Sequence, residues 1–138
     1  MKDVDYNVDI SNMPIFADQS VDFFVCSHIL EHVDNDRKAM AELYRVLKPG
    51  GSGILMVPID LTLANIDEDP SVTDVAERWR RFGQNDHVRM YNKQGFVERV
   101  QAAGFVVHQY GIQHFGYYTF WRAGLALTSV LYVVEKPR

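Results

Sequence analysis

The sequence predicts a single α/β domain with a mixed sheet and flanking helices. Short apolar runs alternate with helical patterns, and the runs at 21–26 and 53–58 are almost continuously apolar. Continuous apolar runs are typical of parallel strands covered on both faces, so we expect these two strands in the sheet centre. A length of 138 residues suffices for one core, and we expect one domain over 1–138.

A helix is predicted between these two strands. Asp34 can cap its start, apolar residues recur every three to four positions from Ala39 to Leu47, and Pro49-Gly50-Gly51 can end it. Strand, helix and strand together have the length of a right-handed crossover unit.

The second half of the chain predicts two more helices and two more strands. One helical pattern begins at Ser71 and ends at Gly83, and we interpret this element as a lid. Another helical pattern runs from about Asn92 to Gly104. The β-branched or aromatic runs at 105–107 and 129–134 predict strands, and we expect the last one to be antiparallel. Residues 6–10 are a further strand candidate at the start.

Composition excludes several classes of function. With 14 Lys+Arg against 18 Asp+Glu and no basic stripe, a nucleic-acid partner is not expected. Cys26 is the single cysteine, so no internal disulfide forms, and the polar, acidic start predicts a cytoplasmic protein. The apolar stretch 117–134 is interrupted by Arg122 and by glycines, so we interpret it as buried strand and loop and expect no membrane span.

Three ordered stretches resemble the type 11 group of class I, S-adenosylmethionine (SAM)-dependent methyltransferases. They are residues 8–24, residues 26–33 (Cys-Ser-His-Ile-Leu-Glu-His-Val), and residues 38–51, which end in Lys-Pro-Gly-Gly. Residues 82–89 and the Ala-Gly-Phe corner at 103–105 extend the similarity, which fades after His108. The resemblance implies a partial Rossmann-like mixed sheet.

The family's glycine-rich cofactor loop has no counterpart here, because no glycine precedes Gly50. The resemblance therefore implies that the first two strands of the family fold are missing, which leaves the 21–26 strand with an unpaired apolar edge. We expect a homodimer or higher oligomer through this edge. The expected activity is methyl transfer to a small-molecule or other acceptor, impaired or dependent on another chain, with weak or absent SAM binding by the isolated chain.

The resemblance also assigns candidate site residues. The cofactor-binding candidates are Asp9 and Ile10 at the adenine and Cys26, Ser27 and His28 after the 21–26 strand. The substrate-side candidates are Asp60 and Tyr91, together with His32 and His87 as catalytic residues. A histidine suits proton removal from the acceptor because its unperturbed pKa of about 6.5 lies close to working pH.

Structural roles remain open for these residues. Asp9 can cap a turn, and Asp60 can be a solvated loop residue. The histidines can be satisfied boundary residues, and His87 with Asp86 and Arg89 can form an ion-pair cluster that holds the lid.

Two other functions compete with methyl transfer. His28, Glu31 and His32 have the His-x-x-Glu-His spacing of a class of zinc peptidases, but the sequence specifies no third ligand, so we expect no metal site. The other alternative is a non-catalytic, methyltransferase-like dimerisation or binding module, since fold alone does not imply function.

Overall fold

The computed structural model describes residues 4–138, which form a four-stranded mixed sheet, a two-stranded ribbon and five helices. In chain order the elements are β1 (Val21–Ser27), α1 (Asp36–Val46), β2 (Leu47–Met56), β3 (Asp67–Glu68), α2 (Val75–Phe82), β4 (Arg89–Met90), α3 (Lys93–Ala102), β5 (Val106–Tyr110), α4 (Ile112–Phe115), α5 (Tyr117–Ala123) and β6 (Leu131–Glu135).

The main sheet has the strand order β1-β2-β6-β5. β1 and β2 are parallel and are joined through α1, with Val25 opposite Ile54. β6 is antiparallel to both of its neighbours and lies between β2 and β5. The predicted mixed α/β sheet, the parallel crossover and the antiparallel last strand are therefore confirmed.

α1 begins one residue later than predicted and ends earlier. Asn35, and not Asp34, is the N-cap, because its side chain accepts a hydrogen bond of 2.9 Å from the Lys38 amide. The predicted stop at Pro49-Gly50-Gly51 is wrong, since Leu47 already adopts extended backbone angles and starts β2. The Gly50 amide donates to the Lys136 carbonyl at 2.7 Å, so the C-terminal segment recruits this stretch into the sheet.

The other two predicted helices are present, with one shifted boundary. α2 begins after Asp74, whose side chain accepts from the Glu77 amide, and not at Ser71. Gly83 ends α2 in the left-handed conformation, at φ 80°, as predicted for a glycine C-cap. Asn92 caps α3 by accepting from the Gly95 amide.

Three further predicted features are wrong. β1 does not lie in the sheet centre, because it is an edge strand that pairs with β2. Residues 6–10 form no strand, and Asp9 makes only an isolated bridge with Asn12. Most of the stretch 117–134 is not buried, because α5 presents Tyr118 and Trp121 to solvent at 66% and 68% exposure. Within residues 4–138, no helix has both the length and the apolar character that a membrane crossing requires.

The main core lies between the sheet, α1 and α3. Met40 and Leu43 of α1 and Val100 of α3 are buried there against the sheet. Because these apolar residues recur at helical spacing, each helix turns one apolar face to the sheet. The opposite faces remain in solvent, which leaves the ends of the strands to carry polar groups.

Candidate functional site

The site begins at the carboxyl end of β1, where the backbone turns sharply. His28 follows the strand and has φ 54°, in the left-handed region that non-glycine residues seldom occupy. Its amide still donates to the Met56 carbonyl at 2.9 Å, so the strained residue is held against the end of β2. Backbone strain of this kind is concentrated at functional sites and marks this turn as a candidate.

A cleft of about 920 Å³ opens beside this turn. Residues after β1 and β2 line one side of it, and the segments around α4 and before β6 line the other. The lining includes His28, Ile59, Leu61, Tyr110, His114 and Val130. Ligands of open α/β sheets bind at this position, outside the carboxyl ends of the parallel strands. The cleft is large enough for a small organic molecule.

Arg89 fixes the turn that follows His28. Its buried guanidinium donates to the carbonyl oxygens of Leu30 at 2.6 Å and Asp34 at 2.8 Å, and also to that of Val33. The Val88 amide donates to the Glu31 carbonyl at 2.9 Å. Segment 87–89 therefore holds the 28–34 turn by hydrogen bonds to its backbone carbonyls. These bonds do not depend on the side chains of the turn.

Glu31, His32 and His87 meet at this junction. One potential ligand atom from each side chain lies within 4.8 Å of the other two. Glu31 and His87 are buried, and His32 is 31% exposed. His28 joins the edge of the group, with Nδ1 3.3 Å from Oε1 of Glu31. The expectation of no metal site rested on a motif that specifies no third ligand, and the structure places the His87 side chain beside Glu31 and His32.

Tyr91 and Asp36 belong to a buried network beneath the turn. The Tyr91 hydroxyl donates to Oδ2 of Asp36 at 2.6 Å, and the side chain has no exposed surface. Burial, followed by the negative charge of Asp36, raises the pKa of Tyr91. Arg99 donates to the same carboxylate at 2.7 Å and to Glu68. Tyr91 therefore has a structural position in the core, and not one that faces a ligand.

The N-terminal candidates lie on a segment attached to α1. The Asp9 side chain is exposed and accepts from the Ser11 amide at 2.8 Å, which is the turn-capping geometry of an aspartate. Ile10 packs partly against the core. Glu42 anchors the segment further along, where it accepts from the Met13 amide at 2.9 Å.

Of the remaining candidates, two have little freedom to act as side-chain ligands. Cys26 is buried, and desolvation together with the charge of Glu31 raises its pKa to about 12. Asp60 accepts from the amide and hydroxyl of Thr62, which lowers its pKa. Ser27 is exposed at the end of β1.

The structure thus brings together His28, His32 and His87, with Glu31 at their centre. Sequence reasoning named Glu31 only as part of the zinc-type spacing and did not predict its burial. It also missed Tyr110 and His114 as lining residues of the cleft. The sequence offered no signal for these two, because the resemblance ends at His108.

Comparison with known proteins gives a sequence match and structural matches. Residues 2–55 match a family model described as a methyltransferase domain. Over 40 residues the chain is 50% identical to the rat (Rattus norvegicus) thiol S-methyltransferase TMT1B, which corresponds to 29% of this chain and 16% of the relative. The chain therefore spans about a sixth of this curated relative.

Two of the similar solved structures illustrate how much of the chain is matched. The first is from a complex between the Haloferax volcanii Trm112 methyltransferase activator and a methyltransferase, with TM-score 0.60, 17% identity, and coverage of 95% of this chain and 60% of that one. The second is Haemonchus contortus phosphoethanolamine N-methyltransferase 2 with phosphomonomethylethanolamine and S-adenosylhomocysteine, with TM-score 0.57, 14% identity, and coverage of 94% and 36%. At these identities the likeness establishes the fold.

Proposed function

We propose that this chain, which has the class I methyltransferase fold, takes part in SAM-dependent methyl transfer to a small-molecule acceptor. The observation that carries the proposal is the cleft at the carboxyl ends of β1 and β2, with the strained residue His28 on its rim. The methyltransferase-domain match over residues 2–55 includes β1 and this turn and gives independent support.

The acceptor is a molecule with an apolar body and one nucleophilic nitrogen, oxygen or sulfur atom. Apolar residues such as Ile59, Leu61 and Val130 line the cleft and favour such a body. His28 and His114 are the imidazoles in the lining, while His32 and His87 do not line it. We therefore assign proton removal to His28, whose side chain is 62% exposed, and not to the two histidines favoured from the sequence.

Few protein groups are needed for the transfer itself. Bound SAM would supply an activated methyl group on a sulfonium, which the acceptor atom would take up as the carbon–sulfur bond broke. The cleft walls orient the acceptor for this in-line displacement, which contributes much of the rate. The His28 imidazole takes the proton that the acceptor releases.

We assign part of the SAM site to Asp9 and to the residues at the end of β1. Asp9 is exposed and offers a carboxylate to the exocyclic amine of adenine, and Ser27 and His28 follow β1 where the cofactor approaches the sheet. Cys26 can contribute through its backbone alone, since its thiol is buried. The first glycine of the sequence is Gly50, so these residues hold no glycine-rich loop for the methionine end.

We also propose that a second copy of the chain covers the outer edge of β1. In residues 4–138 this strand pairs with β2 alone, and its Phe23 and Val25 are 52% and 61% exposed. An unpaired strand edge with apolar side chains is a ready template for another chain.

The test measures methyl transfer from labelled SAM to a panel of small thiols, amines and phenols. The His28→Ala variant should lose at least tenfold in kcat with little change in KM. His108→Ala changes a half-buried histidine on β5 and should leave both unchanged. Labelled product with equal kcat in both variants would refute the role of His28. If no acceptor is methylated, even after fusion of a glycine-rich segment typical of the family, the result supports the alternative of a non-catalytic dimerisation or binding module.

A further inference from the structure

We propose that Glu31, His32 and His87 form a binding site for a divalent transition-metal ion, with Zn²⁺ as the best fit. Nitrogen from two imidazoles and oxygen from one carboxylate is a three-residue ligand set that zinc accepts. The inference does not depend on the proposed methyl transfer, since it rests on the side-chain geometry at the junction of the 28–34 turn and the segment 87–89.

The spacing of the three ligand atoms is close to what a metal ion needs. Ligand atoms about 2.1 Å from a tetrahedral zinc ion lie about 3.4 Å apart. The present atoms all lie within 4.8 Å of one another, so side-chain rotations of modest size bring them to a common centre. His32 is 31% exposed and has room for this rotation.

The carboxylate of Glu31 is the strongest indication of a cation site. Its side chain is only 1% exposed, and neither Oε1 nor Oε2 accepts a hydrogen bond. A buried carboxylate that accepts no hydrogen bond is costly, because it has left water without a hydrogen bond to replace those it made there. Two imidazole nitrogens lie near Oε1 of Glu31, Nδ1 of His28 at 3.3 Å and Nε2 of His32 at 3.9 Å. A bound divalent cation satisfies the carboxylate directly.

Both imidazoles are already oriented as metal ligands usually are. Nδ1 of His87 lies 2.8 Å from the Phe82 carbonyl oxygen and donates to it, which leaves Nε2 as the available ring nitrogen. Nδ1 of His32 lies 3.3 Å from Oδ2 of Asp86, and its Nε2 is the nitrogen nearer to Glu31. A carbonyl or carboxylate on the far nitrogen fixes the tautomer and raises the basicity of a metal-binding histidine.

The two segments that carry the ligands are held together without any metal. Val88 donates to the backbone of Glu31, and Arg89 donates to three carbonyls of the same turn. Such preorganisation reduces the entropy that binding must overcome. Three protein ligands leave a fourth position, which a water molecule can occupy.

The test uses the full chain stripped of metal with a chelator and titrated with Zn²⁺ alone, in competition with a chromogenic chelator. We expect one ion per chain with a dissociation constant in the micromolar range or tighter. Glu31→Gln and His87→Ala should each weaken binding at least tenfold, whereas His108→Ala should not change it. Circular dichroism of each variant shows whether the fold is kept.

A second measurement covers the case in which His87→Ala does not fold. Co²⁺ bound to the unmodified chain should give the intense visible absorption of a four-coordinate site, and His32→Gln should abolish it. Binding that is no tighter than in the Glu31→Gln chain, or a Co²⁺ spectrum typical of six-coordinate aqueous metal, would overturn the proposal.

Discussion

The guanidinium of Arg99 lies 2.7 Å from the carboxylate of Asp36 and joins α3 to the first turn of α1. Both side chains are almost fully buried. Removing one partner leaves the other charge buried, so Arg99→Met should lower the free energy of unfolding by about 3–5 kcal/mol. Urea denaturation followed by tryptophan fluorescence measures this difference. Arg37→Met is the matched control, because Arg37 is an exposed arginine on the same helix as Asp36. It should change the free energy of unfolding by less than about 0.5 kcal/mol.

Stability should fall in acid because of Glu42. Its hydrogen bonds with Arg45 and the Met13 amide lower its pKa from 4.5 to about 2. A carboxylate whose pKa is lower in the folded state stabilises the fold above its unfolded pKa, and this stabilisation is lost as the pH falls from about 4.5 to about 2. Thermal unfolding across this range should show a smaller pH dependence for Glu42→Gln than for the unmodified chain. An equal dependence in both would show that other carboxylates dominate.

Cys26 should be unreactive in the folded protein. Its thiol is buried and its pKa is raised to about 12, so the thiolate that attacks electrophiles is almost absent at neutral pH. Reaction with a chromogenic disulfide reagent at pH 8 should be slow in native buffer and fast in guanidinium chloride. Rapid reaction under native conditions would mean that the end of β1 opens frequently.

Self-association should depend on the outer face of β1. Light scattering at micromolar concentration is expected to give a mass above the 15.9 kDa of one chain. Val25→Lys places a charge at a position that is 61% exposed and should shift the mass to that of the monomer. Leu127→Lys, at a similarly exposed leucine before β6, tests whether any added charge has this effect. A monomer at all concentrations would contradict the proposal.

SAM should bind weakly to the isolated chain. The resemblance to type 11 methyltransferases implies two cofactor contacts that these residues lack, one to the methionine end and one from an acidic residue to the ribose. Without two charge-assisted hydrogen bonds of about 1.5–3 kcal/mol each, a typical micromolar site should weaken roughly a hundredfold to ten-thousandfold. Calorimetry should therefore give a submillimolar constant or weaker. Low-micromolar affinity for these 138 residues alone would show that a neighbouring subunit or a rearranged N-terminal segment completes the site.

Local signals were sufficient for much of the fold. Asn92 and Gly104 bound α3 as predicted, because a capping side chain and a glycine with φ 107° act through their nearest neighbours. The position at which α1 ends was not predicted, because Leu47 begins β2. The hydrogen-bond partners of β2 include residues at the other end of the chain. Pairing energy from distant residues overrode the local Pro-Gly-Gly signal.

The candidate site was predictable only in part for the same reason. The His28 turn could be located from its motif, which is contiguous in sequence. The meeting of Glu31 with His87 depends on Arg89, whose three carbonyl contacts have no local sequence signature. Tyr91 was predicted on the substrate side, yet its hydroxyl donates inward to Asp36.

The central position of β6 has a consequence for how the chain folds. β2 and β5 are separated by β6, so they cannot belong to one sheet until residues 131–135 have been synthesised and inserted between them. On the ribosome, β1, α1 and β2 would therefore wait as an open two-stranded unit with apolar surface exposed. Such delayed closure of non-local pairs slows folding and prolongs exposure to aggregation. In a pulse-labelling experiment, the β2 amides that pair with β6 and the amides of β5 should become protected together, at the moment when β6 inserts.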